Sequence, residues 1–336
     1  MTSARQPMID IHDLVKRYGD FTAVDGIDLS VAYGEIFGIL GPNGAGKTTT
    51  LEMIEGLREP DRGSITVDGI DAVRESDRVR PIIGVQLQTT ALFEYLNASE
   101  LIELFAGLYE SEASAGRIDE LLGMVDLREK AKSQVNTLSG GQRQRLSIAL
   151  ALVNQPKVVF LDEPTTGLDP GARRDLWKMI QGIRAGGMTV VLTTHYMEEA
   201  EVLCDRVAVM DRGRVIACDT PGALIASLGI EATVRARITG GSLDLPDLDA
   251  LPAVLGASIE GDRIALQTRD VQSTLIALLR LVEARGVTLA EMTSQQSTLE
   301  DVFLSLTGRT YDDTSNEQAE AAAPAAAGGR RRRRGL

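Results

Sequence analysis

The stretch Gly41-Pro42-Asn43-Gly44-Ala45-Gly46-Lys47-Thr48 constrains this chain more than any other. It matches G-x-x-x-x-G-K-[ST]. A continuous apolar run, Ile36–Leu40, precedes it, and a helical pattern from Lys47 through Leu51 and Ile54 follows it. Strand, glycine loop and helix in that order make a phosphate cradle. The glycines let backbone N–H groups turn inward, and the helix N-terminus adds its positive dipole. Gly41, Asn43, Gly44, Gly46 and Thr49 are the expected loop and helix-start contacts. Lys47 is expected to reach the β- and γ-phosphates, and the Thr48 hydroxyl to ligate Mg²⁺. On its own the motif says nucleotide binding and no more; kinases and GTPases remain open.

A second half-site follows at Val158-Val159-Phe160-Leu161-Asp162-Glu163. Four apolar residues read as a buried strand, with two acids at its carboxyl end, where ligands bind in open α/β sheets. Asp162 is placed to hold Mg²⁺ through its water shell, and Glu163 to orient or deprotonate an attacking water. Thr189–Thr193 is a third run of this kind. Between the strands lie helical patterns, one of them from Gln142 through Leu146, Leu150 and Val153. Residues 1–230 therefore read as an α/β unit with a largely parallel sheet.

Residues 231–309 read as a smaller α+β unit. Its strands are expected at Val234–Ile238, Arg263–Thr268 and Val287–Met292, its helices at Val271–Arg285 and Thr298–Leu306, the last docking on the appendage itself. Residues 310–336, rich in alanine and glycine and closing on Arg330–Arg334, have the composition of a disordered tail. The arginine run reads as a solvated tail or, less simply, as a hold on anionic lipid. The net charge of −13 disfavours a broad nucleic-acid surface. Two cysteines, Cys204 and Cys218, and two histidines give neither a disulfide framework nor a zinc site. No signal peptide and no run long enough to span a bilayer is evident.

Leu138-Ser139-Gly140-Gly141-Gln142 resembles the signature of the ATP-binding-cassette (ABC) family, and the other motifs fall in that family's order. The resemblance covers about residues 8–225. It implies a P-loop NTPase cassette with a helical subdomain, binding ATP with Mg²⁺ and hydrolysing it. It assigns Tyr18 to adenine stacking and Gln88 to the lid, as a metal ligand and part of the catalytic set. It gives Gly167-Leu168-Asp169 as the D-loop, with Asp169 near nucleotide, and His195 as the switch histidine. Ser139, Gly141 and Gln142 would meet the γ-phosphate held by a second subunit, so two copies head to tail would form two composite sites. A homodimer is the simplest pair.

Thr194-His195-Tyr196-Met197-Glu198-Glu199-Ala200-Glu201 and Thr298-Leu299-Glu300-Asp301-Val302-Phe303-Leu304 resemble the exporter branch that includes the daunorubicin-resistance ATPases. That resemblance implies a peripheral protein on the cytoplasmic face, coupled to a separate ABC-2-type permease, with drug efflux as one use. Gln86 stands at a position that varies in the family and Asn97 replaces a threonine often found at its position, both near the coupling surface that the resemblance implies. The competing reading is a soluble ABC ATPase acting on ribosomes or nucleic acid. Such proteins usually carry paired cassettes, a coiled-coil insertion or zinc modules, and this sequence has none. A non-hydrolysing regulatory cassette is a third reading, disfavoured by Glu163 and His195.

Overall fold

The computed structural model describes residues 6–86, 92–110 and 114–308. In chain order the first strands are β1 (Ile9–Tyr18), β2 (Phe21–Val31), β3 (Ile36–Leu40), β4 (Arg62–Val67), β5 (Ile70–Asp71), β6 (Ile83–Gln86) and β7 (Val158–Asp162). They continue as β8 (Thr189–Thr194), β9 (Arg206–Asp211), β10 (Arg214–Asp219), β11 (Ala232–Gly240), β12 (Val254–Glu260), β13 (Arg263–Thr268) and β14 (Thr288–Gln296).

The continuous apolar runs follow from strands that are covered on both faces. In β3, Phe37 and Ile39 enter one core while Ile36 and Leu40 enter another. In β7, Val158 and Phe160 divide from Val159 and Leu161 in the same way. Neither face can be polar, so the period-two alternation of a half-exposed strand disappears. These strands lie in a six-stranded sheet of order β10-β9-β3-β8-β7-β6. All its pairings are parallel except β9 with β10. The parallel α/β expectation is met.

One face of this sheet packs, with the helix Lys47–Ile54, against a four-stranded antiparallel sheet of order β2-β1-β4-β5. The other face packs on helices that include Gly140–Ala151, Pro170–Ala185 and Met197–Leu203. Helices Ala98–Leu108 and Ala115–Met124 stack on Gly140–Ala151 to form a helical subdomain. Asn97 caps the first of them in a reciprocal capping box with Glu100, worth about 1 kcal/mol relative to alanine. The buried Cys204 side chain packs directly on Gly38: a Cβ there would sit 2.6 Å from Cys204 Sγ.

The third sheet, order β12-β13-β11-β14, packs one face on the helix Val271–Arg285. Strands β11 and β14 run longer than expected, because their pairing continues from Ala232↔Gln296 to Gly240↔Thr288 through two irregularities.

The last helix, Leu299–Thr307, departs from expectation in its docking. Leu299, Val302 and Phe303 are buried in the core of the first unit, beside Leu203 and Leu224, rather than on the appendage. Its first N–H group donates to Glu201 Oε1 at 2.7 Å. The amphipathic spacing marks a buried face in either case; only the fold decides which surface receives it. Phe303 is fully buried. Phe303→Ala is expected to cost about 3–5 kcal/mol by removing packing and leaving a cavity. Denaturant unfolding followed by far-UV circular dichroism checks it, and an unchanged midpoint would contradict the packing.

Candidate active site

Two glycines shape the loop after β3. Gly46 has φ 103, where a side chain is strained, and a Cβ there would meet the Ala23 carbonyl at 2.5 Å. At Gly41 a Cβ would meet the Met210 carbonyl at 2.4 Å. The loop therefore closes against the ends of β2 and β9 only with glycine at both positions. Lys47 is buried, and its Nζ donates to the carbonyls of Gly41 at 2.8 Å and Pro42 at 3.1 Å. The same nitrogen lies 3.4 Å from Glu163 Oε1.

The acids at the end of β7 sit across from this loop. Asp162 is buried, and Thr48 Oγ1 donates to its Oδ2 at 3.1 Å. The Thr193 hydroxyl, on β8, donates to Asp162 Oδ1 and accepts from the Glu163 N–H at 3.0 Å. Glu163 occupies the left-handed region at φ 46. A non-glycine residue held there costs about 1–3 kcal/mol and persists only where its surroundings fix it. They do: His195 Nδ1 lies 3.2 Å from Glu163 Oε1, and the Thr166 hydroxyl donates to Oε2 at 3.2 Å.

The electrostatics follow from that packing. Burial alone would raise the Glu163 carboxyl, but His195 and the Lys47 charge overcome it and hold the group down at about 2. Burial pulls the Lys47 ammonium below its ordinary value, opposed by Glu163 and Asp162. Burial also raises Asp162, against the hydroxyls of Thr193 and Thr48. Glu163 is thus an ionised acceptor at neutral pH, beside a cation held ready for an anion.

A groove of about 280 Å³ opens over the cradle, lined by Tyr18, Phe21, Ala23, Asn43, Gly44, Gly46, Lys47, Thr48, Thr49 and Glu163. Phe21 was not singled out from sequence, yet it is 61% exposed and pairs with Tyr18 across the β1–β2 turn. The Tyr18 ring carries the Arg58 guanidinium 5.3 Å from its centroid. An exposed aromatic one turn from Tyr18 was the available signal. Base–aromatic stacking is worth about 1–3 kcal/mol. Phe21→Ser is therefore expected to weaken ATP binding about tenfold, as read by titration with a fluorescent analogue; unchanged affinity would remove Phe21 from the site. Thr193 was also missed. Its signal was a hydroxyl residue at the end of an otherwise apolar strand.

Ser139, Gly141, Gln142 and Asp169 do not join this groove. They line a separate one of about 470 Å³ with Gly167 and Leu168. Ser139 caps the helix Gly140–Ala151, accepting from the Gln142 N–H at 3.2 Å. Asp169 caps the helix Pro170–Ala185, accepting from the N–H groups of Gly171 and Ala172. Gln88 lies outside the described residues.

The Thr48 hydroxyl and Asp162 carboxylate, hard oxygen donors side by side, fit Mg²⁺, which keeps several waters and takes few protein ligands. Among the described residues no group of three His, Cys, Asp or Glu side chains is arranged to hold a metal. No helix there is long and apolar enough to cross a membrane.

The ABC transporter family profile matches residues 24–166. The chain is 41% identical over 304 residues to the daunorubicin resistance ATP-binding protein DrrA3 of Streptomyces coeruleorubidus, covering 89% of this chain and 96% of that protein. It is 40% identical over 308 residues to the Nod factor export ATP-binding protein I of Ralstonia nicotianae, covering 90% and 94%. Among solved structures, a dimeric post-hydrolysis ATP-binding cassette bound to ADP and Pi aligns with a TM-score of 0.57 at 30% identity, over 63% of this chain and 98% of that one. Cradle, paired acids and His195 thus stand in a chain that matches these two ATP-binding proteins over about nine-tenths of its length, and it belongs to the ABC transporter family as an ATP-binding cassette ATPase.

Proposed function

We propose that the chain is the ATP-hydrolysing subunit of an exporter whose membrane path is a separate ABC-2-type permease. It works at the cytoplasmic face as a peripheral protein, and its cargo class includes antibiotic-like small molecules. The observation that carries this reading is the extent of the similarity. It runs over 308 residues in the Nod factor export relative and over 304 in the daunorubicin resistance relative, so it takes in the appendage as well as the cassette.

The separation of the two grooves supports the dimeric mechanism. Two copies placed head to tail bring the Ser139–Gln142 groove of one over the Lys47 cradle of the other. ATP then binds the closed pair better than the open one and shifts the equilibrium toward it. Lys47 leaves its loop carbonyls and Glu163 for the phosphates. Thr48 and Asp162, with Gln88, would hold Mg²⁺, which would supply positive charge to neutralise the phosphates. Glu163, already ionised, accepts a proton from the attacking water, with His195 fixing its orientation. Loss of the γ-phosphate removes the contacts that kept the pair closed. Tyr18 and Phe21 hold the base.

The test is affinity capture of tagged protein from detergent-solubilised native membranes, with identification of the co-purifying chains. A polytopic membrane chain is the expected partner. Ribosomal or DNA-repair proteins without a membrane chain would replace this reading with a soluble ABC ATPase.

A further inference from the structure

Behind the hydrolytic pair lies a carboxylate that the chemistry above leaves unused. Glu199 is fully buried on the helix Met197–Leu203, one turn past His195. Its Oε1 accepts a hydrogen bond from Trp177 Nε1 at 3.1 Å. Trp177 belongs to the helix Pro170–Ala185, which Asp169 caps in the signature groove. One side chain therefore joins the helix behind the switch histidine to the helix that starts at the D-loop.

A second connection runs through stacked groups. The His195 and Tyr196 rings lie with centroids 4.1 Å apart. The Arg173 guanidinium lies 4.4 Å from the centre of the Tyr196 ring. Arg173 shares a helix with Trp177, and its charge acts on Glu199. Burial raises the Glu199 carboxyl, while Thr194, Thr165 and Trp177 favour its ionised form.

Pairing at this junction is loose rather than absent. The Thr165 and Thr194 hydroxyls and the Arg173 charge already act on the Glu199 carboxylate, but Glu199 Oε2, the Thr165 hydroxyl and Arg173 Nε are buried without a well-directed hydrogen bond. Buried polar atoms short of a good partner cost about 1–3 kcal/mol each. A small shift of the loop around Thr165 that tightened these contacts would therefore be favourable.

We propose that Glu199 is a positioning residue for ATP hydrolysis, latching the His195 helix to the Thr165–Asp169 loop when that loop moves against a second subunit. In the latched form Thr165 donates to Oε2 and Arg173 comes onto the carboxylate. This aligns His195 with Glu163 at the moment Asp169 meets its partner. The proposal rests on the reading of Glu163 and His195 as the hydrolytic pair and of the working unit as a dimer.

Glu199→Gln and Thr165→Val, alone and combined in the full chain, test it by steady-state ATPase kinetics and thermal unfolding. Each is expected to lower kcat about tenfold with KM for ATP within about twofold, and the double variant is expected to be no slower than about twofold below either single one. Thr165→Ser, which keeps the hydroxyl, is expected to restore turnover. A merely structural role would lower the unfolding midpoint without this selective loss of kcat and without rescue by serine. Normal kcat in both single variants, or fully additive losses, would overturn the latch. If Glu199→Gln does not fold, the Thr165 pair decides alone: normal kcat in Thr165→Val, or no rescue by serine, overturns it. Glu163→Gln measured alongside separates the two failures. Its retained turnover would sink the hydrolytic assignment, whereas its loss of turnover beside normal Glu199 and Thr165 variants would sink only the latch.

Discussion

Glu163→Gln is expected to cut ATP turnover by about two orders of magnitude or more, the scale of a lost general base, while nucleotide still binds. The geometry adds a second expectation. In the described state Lys47 Nζ stands 3.4 Å from Glu163 Oε1, so the carboxylate competes with phosphate for the same cation. Glutamine is neutral and close in shape. It weakens that competition and removes one negative charge from beside the phosphates. ATP should bind Glu163→Gln more tightly than it binds the wild type, and the ATP-bound dimer should accumulate on size exclusion. Near-normal turnover would remove Glu163 from its assigned role. Lost turnover together with weakened ATP binding would instead point to a damaged cradle.

Lys47→Ala should act in the opposite direction on binding. Removing one member of a buried, hydrogen-bonded charge pair costs about 2–5 kcal/mol, which predicts a loss of ATP affinity of about thirtyfold to a few thousandfold. Isothermal titration reads this directly, and an affinity within threefold of wild type would exclude Lys47 from phosphate contact. The variant also changes acid tolerance. Glu163 is held at about 2 against an ordinary 4.5, with the Lys47 charge among the causes. A depressed carboxyl contributes stability above its unfolded-state value, and that contribution is lost as pH falls through the folded-state value. In wild type the loss therefore occurs between about pH 4.5 and 2. Without Lys47 the folded-state value rises and the contribution shrinks. Acid unfolding of Lys47→Ala should begin at higher pH than in wild type, and equal acid midpoints would contradict the pairing.

The cradle was legible because its demands are local. A loop with Gly46 at φ 103 between a buried strand and a helix admits few sequences, and Ile36–Leu40 was read with the bounds it has in the fold. Strand β7 was legible for the same reason, four apolar residues ending in two acids. The antiparallel sheet was not. The pairing of β1 with β2 shifts register three times, between Ile11 and Leu14, between Leu14 and Val15, and between Lys16 and Arg17. Each shift resets which side chain faces inward, so β1 shows no clean alternation to read. Phe21 was hidden by the same hairpin, since its place beside the cradle depends on the turn that brings it back across from Tyr18. Glu199 was the hardest case. Within Met197-Glu198-Glu199-Ala200-Glu201 it looks like one of three solvated acids. Only the approach of Trp177, twenty-two positions earlier in the chain, makes it a buried one. Long-range partners of this kind leave no mark in local composition.

The return of Leu299–Thr307 to the first core has a consequence for how the protein is made. Chains emerge from the ribosome N-terminus first, and domains generally fold as they appear. Here the ATPase unit cannot finish in that order. The chain leaves it near residue 230, builds a four-stranded sheet packed on the helix Val271–Arg285, and only then delivers Phe303 to the interior of the unit it left. Until that residue arrives, apolar surface around Leu203 and Leu224 stays open to water. A message cut short anywhere in this detour yields a cassette with Lys47, Ser139, Asp162, Glu163 and His195 all present and its interior incomplete, which exposes such fragments to proteolysis.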